Sequence, residues 1–182
     1  NKPTQAGIVA HYKAVADASP VPVILYNVPG RTSSNMLPET TLQLAEHENI
    51  MAVKEASGDL AQCMEIIQHK PADFLVISGD DILTLPMLSV GGDGVISVIA
   101  NAFPRQFSDA VRFALNKNFD AASKLHYDLL DMMNAIFEQG NPGGIKAALK
   151  SLGITGAALR LPLVNIDQSL SEKIDNLTKK LG

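Results

Sequence analysis

Apolar residues along this chain switch between two periods. Ile8, Tyr12, Val15 and Ala16 recur at helical spacing, and the pattern stops at Ser19-Pro20, where the residue before a proline leaves the helical region. Val21-Pro22-Val23-Ile24-Leu25-Tyr26 is then a short β-branched run closed by Asn27-Val28-Pro29-Gly30, a buried strand followed by a turn. Pro38 and Glu39 open a second helix that carries Leu42, Leu44 and Ala45 to His47. The alternation repeats: Ile50 to Lys54 as strand, Leu60, Met64 and Ile67 as helix, Phe74 to Ser78 as strand, Ile82 to Leu88 as a short helix, and Gly94 to Val98 as a fourth strand. Strand centres at Leu25, Val53, Val76 and Ile96 lie 28, 23 and 20 residues apart with a helical pattern in each gap, which predicts an α/β fold with a parallel sheet.

After Val98 the period is helical throughout. Phe107, Val111 and Ala114 predict one helix; Leu125, Leu129, Met132 and Ile136 a second; Ile145, Leu149 and Leu152 a third; Leu170, Ile174, Leu177 and Leu181 a last. The expected division is residues 1–116 for the βα units and 117–182 for a helical extension, with Asn141-Pro142-Gly143-Gly144 as a turn between packed helices.

Composition narrows the classes of function. Of 182 residues 46% are hydrophobic and 19% charged, enough to bury a core. Fifteen Lys and Arg against 19 Asp and Glu give a net charge of -4 with no basic block, so no phosphate-neutralising face for nucleic acid is expected. The longest apolar stretches are interrupted well short of the ~20 residues a membrane-spanning helix needs, so no membrane partner is expected. A single cysteine, Cys63, and an N-terminus without a signal-peptide core point to a reducing cytoplasm. The chain opens on the loop-like Asn1-Lys2-Pro3-Thr4 without an initiator Met, and is expected to begin inside a longer protein.

Ligands of parallel α/β folds gather at the carboxyl ends of the strands. Lys54 ends an otherwise apolar strand, which is the placement an amine needs to attack a bound carbonyl and form a Schiff base; the alternative is a lysine that snorkels to the surface or pairs with Glu55. Tyr26 ends the preceding strand, where its phenol could relay protons or its ring merely cap the core. Arg31, five residues on in a Pro-Gly turn, offers a fork for a substrate carboxylate. Asp80-Asp81 reads as a helix cap ahead of Ile82 rather than a metal site, and Gly91-Gly92-Asp93-Gly94, preceding a strand, as a helix stop at the opposite face rather than a phosphate loop. His11, His47, His69 and His126 have no partners at metal spacing, and no metal site is expected.

Tyr26-Asn27-Val28-Pro29-Gly30-Arg31-Thr32, Val53-Lys54-Glu55-Ala56-Ser57-Gly58, Ser78-Gly79-Asp80-Asp81 and Gly91 to Ser97, in this order, closely resemble the dihydrodipicolinate synthases. These belong to the pyruvate-dependent class I aldolases, which include N-acetylneuraminate lyase. The resemblance implies that Lys54 forms an imine with pyruvate without any other cofactor, and that Tyr26 relays protons. It implies that Arg31 holds the carboxylate of aspartate semialdehyde, and that the main-chain oxygen of Ile96 lies beside pyruvate. The Pro-Gly-Arg-Thr turn favours this branch over the sugar-acid lyases, which remain the nearest alternative. A non-catalytic α/β binding module, using Lys54 with Asp80 and Asp81 as a switch site, is a third reading.

By the same resemblance the intact protein is a homotetramer, a dimer of dimers, in lysine and diaminopimelate biosynthesis. A (β/α)8 barrel takes ~250 residues or more. The four βα units and following helices therefore correspond to the C-terminal half of such a TIM barrel plus C-terminal helices. The Gly-Thr-Thr segment that binds the pyruvate carboxylate in the family, and a second tyrosine, are not in the sequence. The 182 residues are accordingly expected to be inactive alone.

Overall fold

A computed structural model describes all 182 residues, which form two compact units, Asn1–Ile96 and Ser97–Gly182. The first unit alternates helices and strands: α1 (Gln5–Ala18), β1 (Val23–Asn27), α2 (Pro29–Thr32), α3 (Pro38–Ala45), β2 (Ile50–Glu55), α4 (Leu60–His69), β3 (Leu75–Ser78), α5 (Asp81–Ser89) and β4 (Gly94–Val95). The strands make one parallel sheet in the order β1-β2-β3-β4, as the βα repetition requires.

Burial along the strands shows how this sheet is used. Leu25, Val53 and Val76 are fully buried and join Leu44, Cys63, Ile66 and Phe74 in a core on one face of the sheet. On the other face Ile24 and Tyr26 are each 42% exposed, and Leu75 and Ile77 are half-buried. The period-2 alternation of a strand separates the two sets. The face that carries Ile24 and Tyr26 is the more open of the two, although Ala52 on it is fully buried.

Helix ends follow the expected chemistry. Thr4 caps α1 by accepting from the Gly7 amide, Asp59 caps α4 through the Ala61 and Gln62 amides, and Asp80 caps α5 through Ile82 and Leu83. The predicted turn at Asn27-Val28-Pro29-Gly30 differs: Pro29, with its fixed φ, starts the single helical turn α2, which ends on Ser33 at φ 55°. The glycine-rich stretch lies between α5 and β4 as expected. There Asp93 takes the place of a strand partner, its Oδ2 accepting from the Val76 amide at 2.8 Å while its own amide donates to the Val76 carbonyl at 2.9 Å.

The fourth strand is shorter than the predicted Gly94–Val98. The Ile96 amide still donates to the Ser78 carbonyl, but the Ser97 hydroxyl accepts from the Ala100 amide at 3.0 Å and starts a 3-10 turn at Ile99–Asn101. The rest of the second unit is helical: α6 (Pro104–Leu115), α7 (Phe119–Ala135), α8 (Gly143–Ser151) and α9 (Gln168–Leu181). Its core takes Phe107, Ala114, Leu129, Met132, Ile136, Ile145, Leu170 and Ile174, largely the positions that carry the helical period. Helix α6 packs along α7 within this second unit.

Candidate active site

Adjacent strand ends place Tyr26 and Lys54 side by side. They are register partners across β1 and β2, both on the open face of the sheet, and Lys54 Nζ lies 4.2 Å from the centroid of the Tyr26 ring. At that distance the ammonium meets the negative face of the ring. Lys54 is half-buried, and the phenol end of Tyr26 belongs to a residue 42% exposed, so both groups are within reach of a small molecule.

Gly79, at the end of β3, makes the room Lys54 needs. A Cβ there would lie 3.0 Å from Lys54 Cε, 2.8 Å from the Ala56 Cβ and 3.2 Å from the Glu55 carbonyl oxygen. Any side chain at 79 would therefore displace the lysine stem or the loop after β2. The chain leaves each strand in a common manner: Ala56 donates to the Asn27 carbonyl, Gly79 to Glu55 and Ile96 to Ser78, at 2.8–2.9 Å. These bonds carry the sheet's ladder one residue beyond the strands and hold the loops that surround the lysine.

Ile96 is the last residue of this row and is 43% exposed. Arg31 is exposed on α2, one helical turn beyond the end of β1, with its amide bonded to the Val28 carbonyl at 2.9 Å. The structure thus brings Tyr26 and Lys54 into contact, and places Arg31 and Ile96 on the loops that follow β1 and β4. A cavity of about 470 Å³ opens beside Tyr26, lined by Asn27, Val28, Thr32 and Met36 and by Ile8 and Tyr12 of α1.

The alternative pairing of Lys54 with Glu55 does not form. Glu55 is 3% exposed and faces the helix side, where its carboxylate accepts from Asn27 Nδ2, Gln62 Nε2 and the Ser57 amide. The Asp80 carboxylate is occupied in capping α5, which weighs against a switch site built from Asp80, Asp81 and Lys54. Cys63 is buried below this network, and burial, with the charges of Glu55 and Asp59, pushes its thiol up to about 12, so it stays protonated and packs as a small apolar group. Gly79 and the Asn27-Glu55-Gln62 cluster are the parts that sequence reasoning missed. Their signal was faint: a glycine directly after a strand, and polar residues adjoining the two candidate groups.

The model of the dihydrodipicolinate synthetase family matches residues 1–181. The chain belongs to this family. It is 57% identical, over its whole length, to the 4-hydroxy-tetrahydrodipicolinate synthase of Flavobacterium psychrophilum, and 50% identical to that of Parabacteroides distasonis, covering 62% of each. Among solved family structures, dihydrodipicolinate synthase from Aquifex aeolicus is 40% identical with a TM-score of 0.96, over 99% of this chain and 62% of that one. The enzyme from Acinetobacter baumannii, solved in complex with pyruvate, is 37% identical with a TM-score of 0.96, over 100% of this chain and 62% of that one. This family member therefore spans about three-fifths of the length of the relatives it matches. Family structures are TIM barrels, to which the four parallel strands of this chain correspond.

Proposed function

We propose that this chain carries the imine-forming lysine and the proton relay of a 4-hydroxy-tetrahydrodipicolinate synthase, a lyase that condenses pyruvate with L-aspartate 4-semialdehyde in lysine and diaminopimelate biosynthesis. The observation that carries the reading is the Lys54 ammonium resting 4.2 Å from the Tyr26 ring, at the carboxyl ends of adjacent parallel strands.

In this reading the Lys54 amine attacks the pyruvate ketone, water leaves, and a protonated imine remains. The cationic imine draws electrons from the methyl carbon, which gives up a proton and becomes an enamine nucleophile; its attack on the aldehyde forms the new carbon-carbon bond. Tyr26, against Lys54, is placed to pass protons to and from these species. Arg31 would hold the semialdehyde carboxylate in a bidentate pair, and the Ile96 carbonyl would face pyruvate. No cofactor beyond the covalent imine enters the scheme.

The succession of four βα units and then helices alone supports assigning these strands to the second half of the barrel, with residues 117–182 as the helical extension. The remaining strands would then complete the pyruvate site, so the 182 residues are inactive by themselves. A homotetramer is the assembly we favour for the intact enzyme, although a solved relative 37% identical is described as a monomeric variant. No helix is long and apolar enough to cross a membrane.

Enamine formation is read directly by proton NMR in deuterated buffer with the full gene product. The pyruvate methyl signal is expected to exchange in the presence of enzyme and without aldehyde; folded enzyme giving no exchange above buffer would overturn the reading. Arg31→Ala should leave this exchange unchanged and raise the KM for the semialdehyde about 10-fold or more, the size of a charge-assisted hydrogen bond. Equal loss of both would remove the role given to Arg31.

A further inference from the structure

We propose that Glu55 is a positioning residue for Lys54, held on the helix side of the sheet by Asn27, Gln62 and the Ser57 amide; this rests on the imine chemistry proposed for Lys54. Asn27 and Glu55 are register partners across β1 and β2, directly after the pair Tyr26 and Lys54. The two pairs occupy opposite faces. One holds the candidate reacting groups, and the other is sealed, with Asn27 and Glu55 each 3% exposed and Gln62 7%.

The carboxylate is bound by neutral donors alone: Asn27 Nδ2 at 3.0 and 3.2 Å to its two oxygens, Gln62 Nε2 at 3.1 Å and the Ser57 amide at 2.7 Å. A buried charge without a cation is costly, and is retained only where its hydrogen bonds are well made. A carboxylate is also the one side chain that accepts on both oxygens; a glutamine here would turn an N–H2 toward donors and leave a buried polar group unpaired.

Each bond fixes something next to the lysine. The Ser57 amide folds the loop after β2 back onto its own strand end. Asn27 accepts from the Met36 amide at 3.0 Å and donates to Asn35 Oδ1 at 2.8 Å, tying the segment after α2 to β1, while Asn35 donates in turn to Gln62 on α4 at 2.8 Å. Because neighbouring residues of a strand face opposite ways, a rotation of the β2 end that releases Glu55 carries Lys54 away from the Tyr26 ring. Reacting groups displaced by about 1 Å can lose roughly 100-fold in rate.

Two variants of the full gene product test this by pyruvate methyl exchange, with rates normalised to the folded fraction read by circular dichroism. Glu55→Gln keeps the size of the side chain and removes the charge; Gln62→Leu removes one donor from α4 and leaves both strand ends unchanged. Glu55→Gln is expected to lower the exchange rate at saturating pyruvate by about 10- to 100-fold, with the half-saturating pyruvate concentration changed less than about threefold, and Gln62→Leu to lower it by about 3- to 10-fold. Where Glu55→Gln does not fold, Gln62→Leu decides. Saturating rates within about twofold of wild type in a folded variant would overturn the proposal, as would loss of fold in both variants, which would leave the network a purely structural role. Absent exchange by the wild type would bring down the imine reading and this proposal together; wild-type exchange with unaffected variants would bring down this one alone.

Discussion

In the full gene product, Lys54→Met is expected to reduce synthase turnover by on the order of 10⁴-fold or more while the protein folds and melts as before. Methionine keeps an unbranched stem in the space that Gly79 leaves open, where the Lys54 stem would meet any side chain at 79 at 3.0 Å, and it supplies no nucleophile. Loss of the contact with the Tyr26 ring should cost no more than about 1 kcal/mol, the range of a partly exposed cation-π pair. Turnover and thermal melting therefore separate cleanly. Tyr26→Phe should fall between wild type and Lys54→Met, because a proton relay contributes about 10²- to 10⁴-fold, whereas losing the nucleophile removes the covalent route altogether. Turnover by Lys54→Met within tenfold of wild type would place the chemistry at another residue.

The largest effect on stability is expected from Gly144→Ala in the second unit. A Cβ at Gly144 would lie 2.3 Å from the Ile136 carbonyl oxygen and 2.5 Å from its Cα, backbone atoms that cannot turn aside as a side chain could. Helix α8 must then shift from the end of α7, disturbing the packing of the fully buried Ile136 and Ala148. Overpacking of this kind costs about 3 kcal/mol or more, and a melting temperature roughly 6–12 °C lower follows for a protein of this size. Gly156→Ala is the matched control, since a Cβ there meets nothing within 4 Å; it should stay within about 0.5 kcal/mol of wild type. Equal melting of the two variants would contradict the close approach at Gly144.

The hydrophobic period made the sheet legible because a buried parallel strand leaves a short apolar run, and the gaps between such runs fit one helix each. It also made Tyr26 and Lys54 legible as neighbours, since each stands next to the last residue of its strand. What it could not give was the phase of the polar residues around them. Whether Glu55 pairs with Lys54 or turns away depends on which face each position takes, and that is set by packing of Leu25, Val53 and Val76 against the helices. The motif Pro29-Gly30-Arg31 reads as a turn because both proline and glycine break chains, yet proline at a helix start stabilises the turn of α2 that presents Arg31. Ser97 and the early end of β4 show the same limit, for one hydroxyl accepting from Ala100 outweighs the β-branched run around it. The Gly144 contact was likewise hidden, since a glycine required by close packing looks in sequence like one required by a turn.

Reduction of the full gene product with borohydride in the presence of pyruvate, followed by peptide mass mapping, tests the central claim most directly. The pyruvyl adduct is predicted on Lys54, in a peptide shared with Glu55, and is predicted to be absent from Lys54→Met. Folded protein that carries no adduct, or carries it on a different lysine, would contradict the assignment of Lys54 as the imine-forming residue.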